Sequence, residues 1–464
     1  MRILVKEILE KEGKEVELAG WVAARRDHGK IIFIDLRDRS GIVQTVFTPK
    51  NENLYKLADS LRSEWVVKII GKVAGRPKGM ENPQLITGQV EIAVEQLEIL
   101  NPAKTPPFSF EGDGYEINEE LRLKHRYLDL RRGRLQKNLK LRHQTAGFIR
   151  DFLVSRDFTE VETPMLTKST PEGSRDFVVP SRLQTGKFYA LPQSPQQYKQ
   201  LLMVAGLERY FQFARAFRDE DLRADRGFEH TQIDLEMSFV SQKDVMSLVE
   251  EMILGLFDSL GKKISHKPFP VYSYVDAIKK FGADKFDLRE DKNSGQFAFA
   301  WVIDFPMFVK DDRGKWTYGH NPFTAPRPED EKKLISGQDL GGIIALQYDL
   351  VCNGYEVGGG GVRINKTSLL RKVFEIIGHS AETIDKEFGH MLEAFEYGAP
   401  PHGGIALGLD RLMMLVCGES ALREVVAFPT TSGGQTAVMD APSGLTAAQL
   451  KELNLKIDIL KKEA

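Results

Sequence analysis

The chain has 464 residues, a formal net charge of −2, 28% charged and 42% apolar residues, a globular profile with room for two or three domains. That balance excludes a polycation, so any nucleic-acid surface must be local. Two cysteines, Cys352 and Cys417, exclude a disulfide scaffold and a four-cysteine zinc site. The charged start, MRILVKEILEKEGKEVEL, has no secretory apolar core and no apolar run reaches bilayer length, so the cytoplasm is the expected compartment and no membrane partner is expected.

Residues 15 to 100 read as five short strands, with a helical piece over Asn53 to Arg62 between the third and fourth. This pattern predicts a small five-stranded barrel of the OB type, a scaffold that binds oligonucleotides on one face. Arg25, Arg26, Arg37 and Arg39 stand near Phe33 and Phe47, a composition suited to phosphate pairing and base stacking. An ordinary charged β surface fits the same residues. Residues 101–134 carry Pro102, Pro106, Pro107, Gly112 and Gly114 and read as a hinge. Its end, LRLKHRYLDLRRGR, is basic enough to touch a phosphate backbone, or to be a solvated hinge.

Residues 135–464 carry both helical and strand-like runs and read as a second, mixed domain. Leu141, Phe148, Ile149, Phe152 and Leu153 recur at helical spacing, and FTEVETPML alternates as a strand that stops at Pro164. Glu172 sits in a turn beside Gly173, and Ser194, Gln196 and Lys199 cluster where a loop becomes a helix. The densest stretch is Phe217 to Phe239: Arg218, Asp219 and Glu220, then Arg223 and Arg226 across a charged turn, then the alternating Thr231 to Met237. This reads as two antiparallel strands around a loop whose guanidinium groups suit phosphate or carboxylate, though a solvated salt-bridge loop has the same composition. A strand is expected from Phe299 to Phe308, joined to the preceding charged turn by the short stretch Glu290 to Ala300. His320 follows in a proline-bounded loop. Asp349 and Glu356 lie on strand-like runs, and Gly358 to Gly361 are four consecutive glycines, allowing close approach of a ligand or a neighbouring strand. Arg363 comes next, Arg411 opens an apolar helix at GLDR, and a short surface helix ends the chain.

In this order the elements are specific. The helix and strand ending at Pro164, Phe217-Arg218-Asp219-Glu220, and Gly408-Leu409-Asp410-Arg411 resemble the three motifs of class II aminoacyl-tRNA synthetases. The barrel points to the aspartate, asparagine and lysine subgroup, and QSPQQYK, FRDEDLRADR, TQIDLEMSF, GYEVGGG and VRI resemble the bacterial-type aspartyl-tRNA synthetases. Charge bookkeeping agrees: Lys199 and Arg363 supply two cations for a β-carboxylate and Asp234 an acid for an ammonium, where a lysine pocket needs an extra carboxylate and an asparagine pocket does not need both cations.

The resemblance implies an α+β catalytic domain, an antiparallel sheet flanked by helices over 135–464, and aspartate activation by ATP with transfer to tRNA-Asp by a homodimer built on Leu139 to Pro164. It implies Arg218, Arg411 and Glu356 as catalytic, and Asp349 with Glu356 as ligands of Mg²⁺. The aspartate pocket would comprise Glu172, Ser194, Gln196, Lys199, Arg218, Asp234, His320 and Arg363. ATP would meet Arg218, Asp219, Glu220, His230, Glu356, Gly408, Leu409, Asp410 and Arg411. Arg26, Phe33 and Gln44 match residues that read the anticodon. Departures from the family pattern are Gly227 for a glutamine, His230 for a phenylalanine under adenine, Gly361 for a serine near the metal, and a missing insertion domain where Glu290 to Ala300 stands. His28 and Gly79 resemble the relaxed members that also aspartylate tRNA-Asn, where discriminating ones have a bulky apolar residue and a lysine. Competing readings are an asparagine or lysine synthetase, a tRNA-binding paralogue without catalysis, and a plain single-strand-binding barrel.

Overall fold

The computed structural model describes residues 1–169 and 173–458, in two compact units, Met1–Ile117 and Asn118–Ala464. In the first, strands Glu15–His28, Ile31–Asp38, Gly41–Phe47, Val66–Gly75 and Val90–Asn101 close into a barrel. The first strand closes it by pairing Glu15 to Trp21 with Lys72 to Val66. Alternation explains the core: Val16, Leu18, Val22, Ile32, Ile34, Leu36, Val43 and Phe47 point inward. The helix Glu52–Ser60 starts at Asn51, whose side chain accepts from the Leu54 amide at 3.1 Å.

This alternation corrects the sequence reading of the barrel's nucleic-acid face. Phe47 is fully buried, so it is core and not a stacking platform. Arg25 is held by Asp27 and Asp59, and Arg37 by the buried Glu64 at 2.7 Å.

The second unit is built on an eight-stranded sheet. Edge to edge it runs Val271–Ser273, Phe299–Ile303, Gln347–Cys352, Tyr355–Val362, His402–Gly408, Glu229–Ser238, Arg209–Phe217 and Thr159–Glu160. The six central strands are antiparallel and both edge strands are parallel to their neighbours. One face packs on the helices Gly133–Val154, Gln242–Ser259 and Leu409–Cys417 through Ile149, Ile253, Leu412, Ile233, Leu235 and Ile405. Along Glu229–Ser238 the alternate set, Gln232, Asp234 and Glu236, faces the other way and is also buried, so the sheet presents charge on that face.

The strand expected over Phe299 to Phe308 ends at Ile303. Asp304 has φ 64° and Pro306 follows, both incompatible with a continued ladder, and Phe308–Lys310 pairs separately with Trp316–Tyr318. The stretch ending at Pro164 is a strand only over Thr159–Glu160.

The basic run 121–134 is neither a solvated hinge nor a phosphate strip at its centre. Arg122, Arg126 and Arg132 are buried, and all three donate to Asp129, at 3.2, 2.9 and 2.8 Å. Arg122 and Arg134 also reach Glu424, and Arg126 donates to the carbonyls of Arg423, Val426 and Ala427. Burial forces such pairing, because an isolated internal guanidinium is far costlier than a paired one. Among the described residues no helix is long and apolar enough to cross a membrane.

Candidate active site

The hairpin of Arg209–Phe217 and Glu229–Ser238, the strand pair around Asn353-Gly354, and the start of the Leu409–Cys417 helix enclose a cavity of about 350 Å³. Arg218, Glu220, His230, His320, Glu356, Gly408, Asp410 and Arg411 line it. Arg218 has no carboxylate within ion-pair distance among the described residues; its Nε makes one long bond to Gln193 O at 3.4 Å. Arg411 Nη1 donates to Glu356 O at 2.6 Å and Nη2 lies 3.3 Å from Asp225 Oδ2, while its buried Nε has no partner. Two guanidinium groups with unused donors at one cavity constitute an anion site.

His230 lies against this positive wall. Its burial, and then Arg218, Arg411 and Arg215, push the imidazole down to about 3, so the ring is neutral at physiological pH and presents a π face. Burial also lowers His320. Glu220 accepts from Ser174 Oγ and from Arg226 at 3.0 Å. Asp219 is spent on an exposed pair with Arg175 and does not line the cavity. Leu409 is core, and Asp410 accepts from the Thr231 amide at 3.1 Å and forms an ion pair with Arg142 at 2.5 Å without hydrogen-bond alignment. Of the GLDR stretch Arg411 brings unused donors to the cavity, while Asp410, also at its wall, is engaged in anchoring the helix start to the hairpin.

Asp349 and Glu356 stand on adjacent strands and converge on Gly359, where an ideal Cβ would lie 3.0 Å from Asp349 Oδ1, 3.5 Å from Glu356 Oε1 and 3.4 Å from His320 Nε2. Burial and then the neighbouring Glu356 raise the Asp349 carboxyl well above its usual range. Glu356 is held low despite its burial, by Lys285, His320 and Arg411. Two repelling carboxylates at a glycine-lined hollow suit a hard divalent cation completed by phosphate oxygens and water. Among the described residues no three His, Cys, Asp or Glu side chains form a closed metal cage. Gly361, expected near the metal, instead faces Thr324, 2.8 Å from its ideal Cβ position; it lies one pleat further along the strand.

The sheet face bearing Asp234 holds a buried ionic quartet. Lys199 Nζ lies 3.1 Å from Asp234 Oδ1 and 3.3 Å from Glu236 Oε2, and Arg363 donates from Nε and Nη2 to Glu236 at 2.9 and 3.3 Å. Each of the four is 4% exposed or less. Asp234 Oδ2 has no partner, a buried acceptor that an ammonium would satisfy. Burial outweighs Lys199 and raises Asp234, whereas Arg363 and Lys199 overcome the burial of Glu236 and lower it. Gly404 makes room for the quartet: any Cβ there would lie 2.1 Å from Glu236 Oε2.

The remaining residues fall around these two centres. Ser194 Oγ accepts from the Gln196 amide at 3.3 Å, and Gln196 leads through Gln200, at 2.9 Å, to His402, at 3.0 Å. Glu172 lies outside the described residues. Sequence reasoning missed Glu236 and Lys285. Glu236 was detectable, since two residues after Asp234 on a strand means the same face; Lys285, 2.7 Å from Glu356 Oε2, has no local signature.

On the barrel, Arg26, Phe33 and Gln44 share one outer face. Arg26 meets Asp35 at 2.8 Å and Gln44 at 3.2 Å, Gln44 reaches Glu91 at 2.7 Å, and Phe33 is paired with Arg26 and half-buried. His28 is exposed at the end of the first strand, and Gly79 sits in a loop at φ +86°.

Comparison with known proteins places these features. Residues 118–432 match the model for tRNA synthetases class II (D, K and N), and residues 16–100 match the OB-fold nucleic acid binding domain. The chain is 42% identical to an aspartate–tRNA(Asp/Asn) ligase of Syntrophomonas wolfei over 96% of itself and 97% of that protein. It is 41% identical to one of Thermodesulfovibrio yellowstonii over 98% and 99%. The first alignment runs over 571 positions, against 464 residues in this chain, so that relative contains residues this chain lacks. Among solved structures, an asparaginyl-tRNA synthetase of Pyrococcus horikoshii complexed with asparaginyl-adenylate aligns with TM-score 0.74 at 24% identity over 92% of this chain and 98% of its own. An aspartyl-tRNA synthetase of Entamoeba histolytica gives 0.74 at 20% over 92% and 91%; at these identities the likeness is one of fold.

Proposed function

The chain belongs to the class II tRNA synthetases, in the aspartate–tRNA(Asp/Asn) ligase family, and from that premise we propose that it activates L-aspartate with ATP and esterifies the product to the 3′ end of tRNA-Asp and tRNA-Asn. The observation that carries the choice of amino acid is the buried quartet. Lys199 keeps an ammonium donor beyond its two acceptors, and the bonds of Arg363 to Glu236 and to Gly404 O use Nε and Nη2, leaving Nη1 for a ligand. Both can hold a β-carboxylate, while Asp234 Oδ2 takes the α-ammonium. An asparagine side chain would leave one cation uncompensated, and a lysine side chain would face two more cations.

Activation needs no protein nucleophile, since the substrate's own carboxylate attacks the α-phosphate. The protein contributes alignment and positive charge. Arg218, free of carboxylates, holds the α-phosphate against the attacking oxygen; Arg411 exchanges Asp225 for the γ-phosphate; Glu220 contacts adenine over the neutral His230 ring. Asp349 and Glu356 would hold Mg²⁺, which neutralises phosphate charge when bound. The new carboxyl–phosphorus bond forms as pyrophosphate leaves, and a ribose hydroxyl of tRNA then displaces AMP. Arg26, Phe33 and Gln44 read the anticodon, with Phe33 stacking on a base. His28 and Gly79 leave the last anticodon position loosely specified, which suits the two-tRNA specificity in the relatives' names. The enzyme works in the cytoplasm as a homodimer through the element from Leu139 to Pro164, with residues 290–300 replacing an insertion domain.

The test is pyrophosphate exchange with aspartate, asparagine and lysine, followed by charging of purified tRNA-Asp and tRNA-Asn. Exchange with aspartate alone and charging of both tRNAs are expected. Preference for asparagine or lysine would overturn the amino-acid assignment, and failure on tRNA-Asn the relaxed specificity.

A further inference from the structure

Lys285 belongs to none of the motifs read from the sequence, yet it lines the same cavity as Arg218 and Arg411, with its ammonium 2.7 Å from Glu356 Oε2. Its root is fixed. The next residue, Phe286, is 5% exposed, its ring stacked on Phe281 at 4.1 Å and edge-on to Tyr272. Phe286 O accepts from the Gly354 amide at 3.0 Å, in the turn between the strands that carry Asp349 and Glu356. Beyond it, Arg289 folds back on Asp287 at 2.8 Å. The side chain of Lys285 is by contrast 43% exposed. A lysine stem on a pinned backbone beside a cavity has reach without loss of position.

A divalent ion held between Asp349 Oδ1 and Glu356 Oε1 would share the Glu356 carboxylate with the ammonium on Oε2, and two cations held that close repel strongly beside a partly dehydrated acid. The displaced ammonium carries three donors and needs an anion. The other carboxylate in the hollow, Asp349, points at the same place and would be engaged by the ion, and Asp284, which also acts on Lys285, does not line the cavity, so the polyphosphate of the nucleotide is the anion the cavity would offer.

We propose that Lys285 is a further nucleotide-binding residue of this cavity: an internal counter-cation on Glu356 that transfers to the β- and γ-phosphates when a divalent ion takes its place. This rests on the proposed activity, because it needs a metal–nucleotide in the cavity. It moves no proton. When the bond from the α-phosphorus to the bridging oxygen breaks, the electron pair goes to pyrophosphate, and Lys285 faces that growing charge while the substrate carboxylate forms the new bond.

The experiment compares Lys285→Met and Lys285→Arg with the unaltered protein. Manganese binding without nucleotide, read by electron paramagnetic resonance, is expected to be at least about fivefold tighter in Lys285→Met, because the competing ammonium is gone. KM for ATP in aspartate-dependent pyrophosphate exchange is expected to rise about tenfold in the same variant, with KM for aspartate little changed and Lys285→Arg recovering most of the loss. Unchanged or weaker manganese binding in Lys285→Met, or an unmoved KM for ATP, would overturn the proposal. A residue that only braced the fold would lower the melting temperature and leave manganese affinity alone. Exchange by the unaltered protein, run alongside, judges the activity itself, and the manganese comparison judges the lysine without turnover.

Discussion

Replacing Lys199 by methionine keeps the volume of the side chain and removes its charge. The structure sets the consequence. Asp234 loses the cationic contact it has at hydrogen-bond distance among the described residues, its Oδ2 being already without a partner, while Glu236 keeps Arg363. Asp234, fully buried and with its carboxyl already raised by burial, then takes up a proton on folding. Holding a carboxyl protonated costs about 1.4 kcal/mol for each pH unit above its unfolded pKa of about 3.9. Because Asp234 is already raised in the parent, the variant's extra deficit is smaller than this full cost, and it grows as pH rises from 5.5 to 7.5. The sign follows from the raised pKa: the folded form is fully favoured below the unfolded value, and that advantage is lost as pH rises through the folded one. Urea unfolding followed by circular dichroism at the two pH values measures the difference. Aspartate loses a charge-assisted hydrogen bond of about 1.5–3 kcal/mol, so its KM in pyrophosphate exchange rises by about one to two orders of magnitude. A stability deficit equal at both pH values, or a KM for aspartate within about twofold of the parent, would show that the quartet is not the aspartate pocket.

Arg218→Ala is expected to lower kcat by about two to three orders of magnitude and to leave stability unchanged, because no carboxylate is orphaned; single-turnover adenylate formation and a melting curve separate the two. His230→Phe is expected to lower KM for ATP by about two- to tenfold, a carbocyclic ring being the better stacking partner of adenine, as read by exchange at varied ATP. His28→Leu with Gly79→Lys is expected to cut kcat/KM on tRNA-Asn by at least about tenfold relative to tRNA-Asp. The left-handed φ of Gly79 adds only a local strain of about 1 kcal/mol or more. Asp129→Asn leaves three internal arginines short of an acceptor and is expected to destabilise the second unit by about 3–5 kcal/mol, measured by its melting temperature.

Alternation carried the sequence reading a long way. Two strands around a charged loop and a five-stranded barrel follow from period-2 patterns and turn residues, the wider antiparallel sheet follows from the family resemblance, and the three motif stretches do line one cavity or its sheet. What alternation cannot supply is which face looks inward, and there the reading failed. Phe33 and Phe47 are both aromatic and both on strands, but only the barrel's closure makes Phe47 core. The basic run at 121–134 looked solvated because its partners, Glu419 and Glu424, are hundreds of residues away. The same distance hid Lys285, whose meaning depends on a turn at Gly354 that no nearby residue announces. Gly361 and Gly359 illustrate the finest limit: both belong to one glycine run and one face, and a single pleat separates the position that touches Asp349 from the one that touches Thr324.

The cluster around Asp129 ties the opening of the second unit to residues about three hundred positions later. During synthesis the ribosome releases Arg122, Arg126 and Arg134 long before Glu419 and Glu424 emerge. In a nascent chain Arg122 and Arg126 have Asp129 at hand, but all three guanidinium groups lack their distant acceptors until almost all of it has been made. The last acceptors of this cluster are thus among the last residues translated, and a product terminated before Glu419 lacks them.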